Sequence, residues 1–234
     1  MGLLTDSVLS AFWLLIEFDP DFMAIVIVSL RVSFFATLIA SLVGIPAGLV
    51  IAYAQFPGKR FVLTCLNTLL ALPTVVIGLL VYAFISRKGM FGSFELLYTQ
   101  KAIIIGQIIL ILPLITSLTI AAISRIDSRY RLTALTLGAS HFQMAVTVVQ
   151  EARYGILAAI VAAFGRVIAE VGISMMLGGN AKGFTRTMTT SMALEYDKGE
   201  FVLAVALGLT LMTFAFLINM LFHFFQGRTK IDAV

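Results

Sequence analysis

Charge is scarce in this chain. Only 12% of its 234 residues are Asp, Glu, Lys or Arg, against 60% hydrophobic, and the mean hydropathy is +1.05. Soluble domains carry about 25% charged residues, so a water-facing surface has too few polar side chains to cover it. That excludes a water-soluble enzyme and a disordered chain, and makes lipid the expected solvent. Cysteine is nearly absent: Cys65 stands alone in an apolar run, which excludes an intrachain disulfide and a cysteine metal site. The two histidines, His141 and His223, are too far apart for metal-ligand spacing, so no metal site is expected. Basic clusters are missing too. The net charge of +4 comes from scattered loop residues without interleaved aromatics, which excludes nucleic acid as a partner. The start of the chain has no basic region followed by a small-residue cleavage site, so the mature chain is expected to begin at Met1.

What is present is a series of long apolar runs. A spanning helix needs about 20 apolar residues at 1.5 Å rise across about 30 Å of hydrocarbon. Five stretches meet this: residues 22–54, 61–85, 102–123, 155–179 and 201–225. Residues 2–17 are apolar but short, carry the only tryptophan (Trp13), and read as an interfacial helix within an N-terminal segment, residues 1–21. The expectation is an all-α polytopic membrane protein: one domain over residues 1–234, with about five spans and a polar loop, residues 124–154, between the third and fourth. With the N-terminus outside and the C-terminus inside, eight Lys and Arg fall inside and six outside, a weak bias in the expected direction.

Several residues interrupt the runs. Pro46, Pro73 and Pro113 each remove a backbone donor inside a span. They read either as packing kinks or, at Leu72-Pro73-Thr74 and Leu112-Pro113, as openings along a translocation path. Gly44 and Gly48 have the spacing that lets two helices approach closely. Arg166 and Glu170 share a helix face at i,i+4, either as a self-neutralised pair locking two helices or as residues lining or gating a path. Arg31 reads as snorkelling to the outer interface.

The loop at 124–154 is the most informative polar segment. Apolar positions around Leu132, Leu135, Phe142, Ala145 and Val146 give two short amphipathic helices broken at Gly138, where a positive φ costs least. This segment resembles the cytoplasmic signature loop of ABC importer permeases, in which an E-A-A triplet, a glycine and an I-x-L-P end are regularly spaced. Gly138 fits the glycine, Val148 the isoleucine and Thr133-Ala134 part of the alanine pair; Leu132 replaces the glutamate, and Gln150-Glu151 replace Leu-Pro. Leu72-Pro73-Thr74-Val75-Val76-Ile77-Gly78, Leu112-Pro113, and Glu170-Val171-Gly172 before Met175 and Met176 extend the resemblance along most of the chain. The set is most similar to permeases of tungstate-type importers, then to those for molybdate and sulfate.

The resemblance implies a type I importer-like fold and a homodimeric pore in a bacterial or archaeal cell membrane. It also implies two cytoplasmic ATPases carrying ATP and Mg, and an extracytoplasmic oxyanion-binding protein. The ATPase-coupling residues it implies are Thr133, Ala134, Leu137, Gly138, Ala139, Ser140, His141, Phe142 and Gln143. Phe142 would fill an apolar groove on the ATPase. Path or gate residues are Pro73, Thr74, Arg166, Glu170 and Ser174, with Thr189 a further hydroxyl. No phosphate-binding G-x-x-x-x-G-K-[ST] run occurs, so the chain is expected to bind no cofactor and to depend on a separate motor. Residues 180–200 read as an outer loop, either docking the binding protein or a solvated connection. An ion-coupled secondary transporter using Arg166 and Glu170, and a scaffold without transport, remain the alternatives.

Overall fold

The computed structural model describes residues 19–231, together with Leu9 and Trp13; the side chains of Ser128, Arg131, His141 and residues 221–231 lie outside the described set. The interfacial helix expected over residues 2–17 therefore falls outside the described residues, apart from Leu9 and Trp13, which are helical and exposed. The described secondary structure is helical throughout. The order is α1 Pro20–Tyr53, α2 Lys59–Leu70, α3 Thr74–Ile85, α4 Gln100–Ser124, α5 Ser128–Thr136, α6 His141–Glu151, α7 Arg153–Ile168, α8 Gly172–Gly178, α9 Met188–Asp197 and α10 Phe201–Ile231.

Three helices are long and apolar enough to cross a bilayer unaided: α1, α4 and the Phe201–Met220 part of α10. Two bent helix pairs are together long and apolar enough to cross, by length and composition alone: α2 with α3 at 99° and α6 with α7 at 70°. The continuous span expected over residues 61–85 is thus corrected to a broken one. Pro73 is the reason: it caps α3 with an extended backbone (φ −62°, ψ 133°) and has no N–H with which to continue α2. The span expected over residues 155–179 is corrected as well. Its helix begins at Arg153, stops at Ile168 and resumes only as the short α8.

Proline alone does not decide such breaks. Pro46 and Pro113 both sit inside unbroken helices, so Leu112-Pro113 does not open α4. Pro46 is exposed, whereas Pro113 is buried, and the Thr116 hydroxyl donates to the Leu112 carbonyl at 2.8 Å in the same turn.

α4 is the central element, packing against α1, α2, α3, α7 and α8. Its residues Leu110, Ile111 and Ile115 join Ala40, Ile77, Val81, Val167, Ile173 and Leu177 in the main core. The α1–α4 contact is close because glycine permits it. A Cβ on Gly48 would lie 2.8 Å from Thr119 Cβ, and one on Gly44 would lie 3.0 Å from Ile115 Cγ2. The same register sets Val32 beside Ile103, and hence Arg31 level with the first turn of α4. Arg31 is exposed there.

At the C-terminal end of α1, the Lys59 ammonium donates to the Ala52 and Ala54 carbonyls at 2.9 and 3.1 Å. It thereby satisfies groups that a helix C-terminus leaves open and places a cation at its negative end.

Residues 180–200, expected as an outer loop, are exposed at both ends, but residues 185–195 are folded into the bundle. Thr185, Thr187, Met188, Thr189, Thr190, Ser191 and Glu195 are all buried. The Ser29 hydroxyl accepts from the Met188 N–H at 2.7 Å, and Thr185 donates to the Gly178 carbonyl at 2.6 Å. Thr187 caps α9 in a reciprocal box with Thr190. A segment rich in threonine folds this way because each hydroxyl takes up a backbone group that lipid or core would otherwise strand.

Candidate functional site

The segment 124–154 folds as two helices meeting at a glycine elbow. α5 ends in a Schellman motif: Gly138 N–H donates to Leu135 O at 3.1 Å and Ala139 N–H to Ala134 O at 3.0 Å, with Gly138 at φ +84°. Ser140 then caps α6 in a box with Gln143: Ser140 N–H donates to Gln143 Oε1 at 2.8 Å and Gln143 N–H to Ser140 Oγ at 3.3 Å.

One face of α6 is anchored. Met144 and Val148 are buried with Ile123, Ala152 and Ile156. The opposite side presents bare apolar groups. Leu137 is 82% exposed and Phe142 77%, with Leu132 and Val146 also exposed. Thr133, Gln143 and Ser140 surround them at the surface, with Ala134 and Ala139 half-buried. Beside the elbow, a depression of about 610 Å³ is lined by Tyr130, Thr133, Ala134, Leu137 and Ala139. The coupling residues expected from the sequence are therefore brought together on one rigid corner. The His141 side chain lies outside the described residues.

The second constellation lies where the broken helices meet. Arg166 Nη1 is 3.2 Å from Glu170 Oε2, as the i,i+4 spacing implied. The environments differ: the Glu170 side chain is 3% exposed and that of Arg166 47%. Glu170 stands past the end of α7, and its Oε1 accepts from Ile173 N–H at 3.3 Å in the first turn of α8. Other groups close the same break. Gln107 Nε2 donates to Val167 O at 3.3 Å, and Thr189 Oγ1 donates to Glu170 O at 2.8 Å. Inside a membrane a helix break persists only when its freed backbone groups find such partners.

Gly172 brings the two broken crossings together. A Cβ there would lie 3.2 Å from Thr74 Oγ1, 3.3 Å from Glu170 Oε1 and 3.5 Å from Val75 Cγ2. Pro73, Thr74, Glu170 and Arg166 thus form one neighbourhood. Two expected hydroxyls fit a path less well. Ser174 is fully buried and its Oγ has no hydrogen-bond partner, while the Thr189 hydroxyl is spent on the Glu170 carbonyl.

The sequence reading missed Gln107. Its one signal was a lone amide in Ile103-Ile104-Ile105-Gly106-Gln107-Ile108, a position where an uncompensated polar group is costly. Among the described residues, no cluster of three His, Cys, Asp or Glu suited to a metal ion occurs.

Comparison with known proteins agrees with this architecture. A tungstate uptake system permease protein, TupB, from Peptoclostridium acidaminophilum is 37% identical over 226 residues, covering 97% of this chain and 99% of that protein. A probable anion ABC transporter permease protein from Haloferax volcanii is 38% identical over 211 residues, covering 88% and 91%. Among solved structures, a bacterial ABC transporter involved in the import of the acidic polysaccharide alginate superposes with a TM-score of 0.77 at 19% identity, over 94% of this chain and 83% of that one. Residues 44–231 match a family described as the binding-protein-dependent transport system inner membrane component. With every helix after α1, and the last part of α1 itself, inside that match, the chain belongs to the family of binding-protein-dependent transport system inner membrane components.

Proposed function

We propose that two copies of this chain form the membrane pore of an ATP-driven importer for a tetrahedral oxyanion, tungstate first among them. The observation that supports the substrate is end-to-end similarity to a tungstate permease, which leaves no domain of either chain unmatched. The exposed Leu137–Phe142 corner supports the mode of driving. Two large apolar side chains, fixed by a Schellman turn and a capping box and rimmed by polar groups, make a rigid knob for a groove on a cytoplasmic ATPase. ATP and Mg belong to that partner. This chain converts the motion of the knob into opening and closing of the Pro73–Gly172 neighbourhood. In this arrangement the knob faces the cytoplasm, residues 86–99 face outward, and an extracytoplasmic binding protein delivers the anion.

The test is uptake by proteoliposomes containing the chain, its ATPase and its binding protein. Tungstate accumulation is expected to require internal ATP and to survive collapse of proton and sodium gradients. Gradient-driven accumulation without ATP overturns the proposal in favour of a secondary transporter. Preferential uptake of molybdate or sulfate corrects the substrate alone.

A further inference from the structure

Residues 86–99 join α3 to α4 at the end of the bundle opposite the coupling corner. Their fold is tight. Gly89 N–H donates to Ser86 O at 2.7 Å and Phe91 N–H to Phe84 O at 2.9 Å, and a Cβ on Gly89 would collide with the Ala83 carbonyl. Arg87 and Lys88 are held in this turn, both exposed, on the rim of a cavity of about 650 Å³ also lined by Ser86, Glu95, Tyr82 and Tyr98. Among the described residues, neither cation has a carboxylate within ion-pair distance, and Glu95 has no cation within it.

Tyr82 and Tyr98 also line a second cavity, of about 640 Å³, whose other walls include Leu79, Met175, Met176 and Gly179. The two phenols thus stand between a charged outer chamber and an apolar inner one. Tyr98 is built into that position. It has a left-handed backbone at φ +62°, its N–H donates to Leu177 O at 2.8 Å, and its ring packs where a Cβ on Gly179 would lie 2.6 Å from Cδ1. Such a backbone is costly for a tyrosine and persists only when its surroundings impose it. Interaction with the Tyr82 phenol, by hydrogen bonding and then by charge, raises the Tyr98 hydroxyl above its ordinary 10.0, with burial adding to it. Tyr98 therefore remains a neutral donor at physiological pH. Below the phenols, Val75, Leu79 and Tyr82 share one face of α3, which leads down to Gly172 and the Glu170 break.

We propose that Arg87, Lys88, Tyr82 and Tyr98 form a receiving site for a tetrahedral oxyanion at the outer mouth, passing it across the phenols to the α3–α8 face. It rests on the oxyanion-import reading above. Two exposed, unpaired cations attract a dianion over about a Debye length, and in solvent they hold it weakly enough for release. The phenols, shared by the two cavities, supply neutral donors where a fixed positive charge would trap the anion. The same cations also suit the carbonyl end of α3, so the experiment must separate transfer from helix capping.

It uses the full complex of this chain, its ATPase and its loaded binding protein in liposomes. The readouts are anion delivered per ATP hydrolysed and the half-saturating concentration of binding protein. The double variant R87Q/K88Q is expected to lower anion per ATP at least threefold with half-saturation unchanged, and to flatten the dependence of uptake on ionic strength. Y98F is expected to lower anion per ATP as well, and the charge-conserving R87K/K88R to restore it even where R87Q/K88Q folds poorly. Unchanged anion per ATP in R87Q/K88Q overturns the receiving site. A raised half-saturation alone also overturns it and marks the turn as a docking surface for the binding protein. Wild-type liposomes carrying none of tungstate, molybdate or sulfate overturn the oxyanion reading, and the site falls with it. Normal wild-type uptake with indifferent variants overturns the site only.

Discussion

Gly138 and Glu170 show how much single residues decide here. Gly138 has nothing within 4 Å of where a Cβ would point, so its requirement comes from φ +84° alone. Replacing it by alanine forces a left-handed conformation that costs about 1–2 kcal/mol, with no clash to add. Gly138→Ala is expected to loosen the elbow and reduce ATPase co-purification and uptake. Gly138→Asn, which tolerates the same region, should retain most of both. Glu170 differs because its burial is nearly complete and its carboxylate serves Ile173 N–H and Arg166 together. Glu170→Gln keeps an acceptor for the N–H, whereas Glu170→Ala strands it at about 1–3 kcal/mol. Thermal unfolding in detergent should therefore rank wild type above Gln and Gln above Ala. The two residues were legible in the sequence to different degrees. Gly138 stood in a spaced signature, but the partners of Glu170 are Arg166, the Ile173 N–H and, on its carbonyl, the Thr189 hydroxyl nineteen residues away, in a break that no proline announces.

Among the elements, the α1–α4 pair is where sequence spacing translated most directly into structure. Gly44 and Gly48 are four residues apart on one face, and both meet α4. Their neighbours differ in how they can yield. Near Gly48 a Cβ would stand 2.8 Å from Thr119 Cβ and 3.0 Å from the Thr116 carbonyl, whereas near Gly44 it would stand 3.0 Å from a methyl of Ile115. Gly48→Ala is expected to lower stability by about 1–3 kcal/mol and Gly44→Ala by less, read as a shift in unfolding temperature. Other elements were less legible. Pro73 was visible as a point of weakness, but a 99° bend depends on what lies beside it, and Pro46 and Pro113 show that proline need not interrupt a helix. The stretch from Thr185 to Ser191 read as part of an outer docking loop or a solvated connection because composition cannot reveal that its four threonine hydroxyls have backbone partners.

For the whole molecule, the arrangement sets an apolar knob at the α5–α6 corner and the Arg87–Lys88 turn at opposite ends of α4. Their sidedness is directly measurable, because Cys65 is the only cysteine. In a Cys65→Ser background, a cysteine at position 142 is expected to react with a membrane-impermeant maleimide only in inside-out vesicles. One at position 88 should react only in right-side-out vesicles. Labelling of both from one side would refute the assigned topology. The amount of this architecture visible in advance followed the hydrocarbon requirement. Uninterrupted apolar helices were readable, and the two bent crossings were readable only as apolar runs.

The way α9 is fastened also bears on where such a protein can work. Ser29 holds the Met188 N–H, Thr185 holds Gly178, and Thr189 holds Glu170, all through hydroxyl and backbone groups. The Asp21–Lys182 bridge beside them, at 2.7 Å, is more than half exposed on both sides and adds little. These three bonds have no proton to lose and no charge for salt to screen, unlike the Glu195–Lys198 pair toward the end of α9. The packing of α9 against its neighbours is therefore expected to keep its shape through swings of acidity and salinity that would loosen an assembly tied by ion pairs.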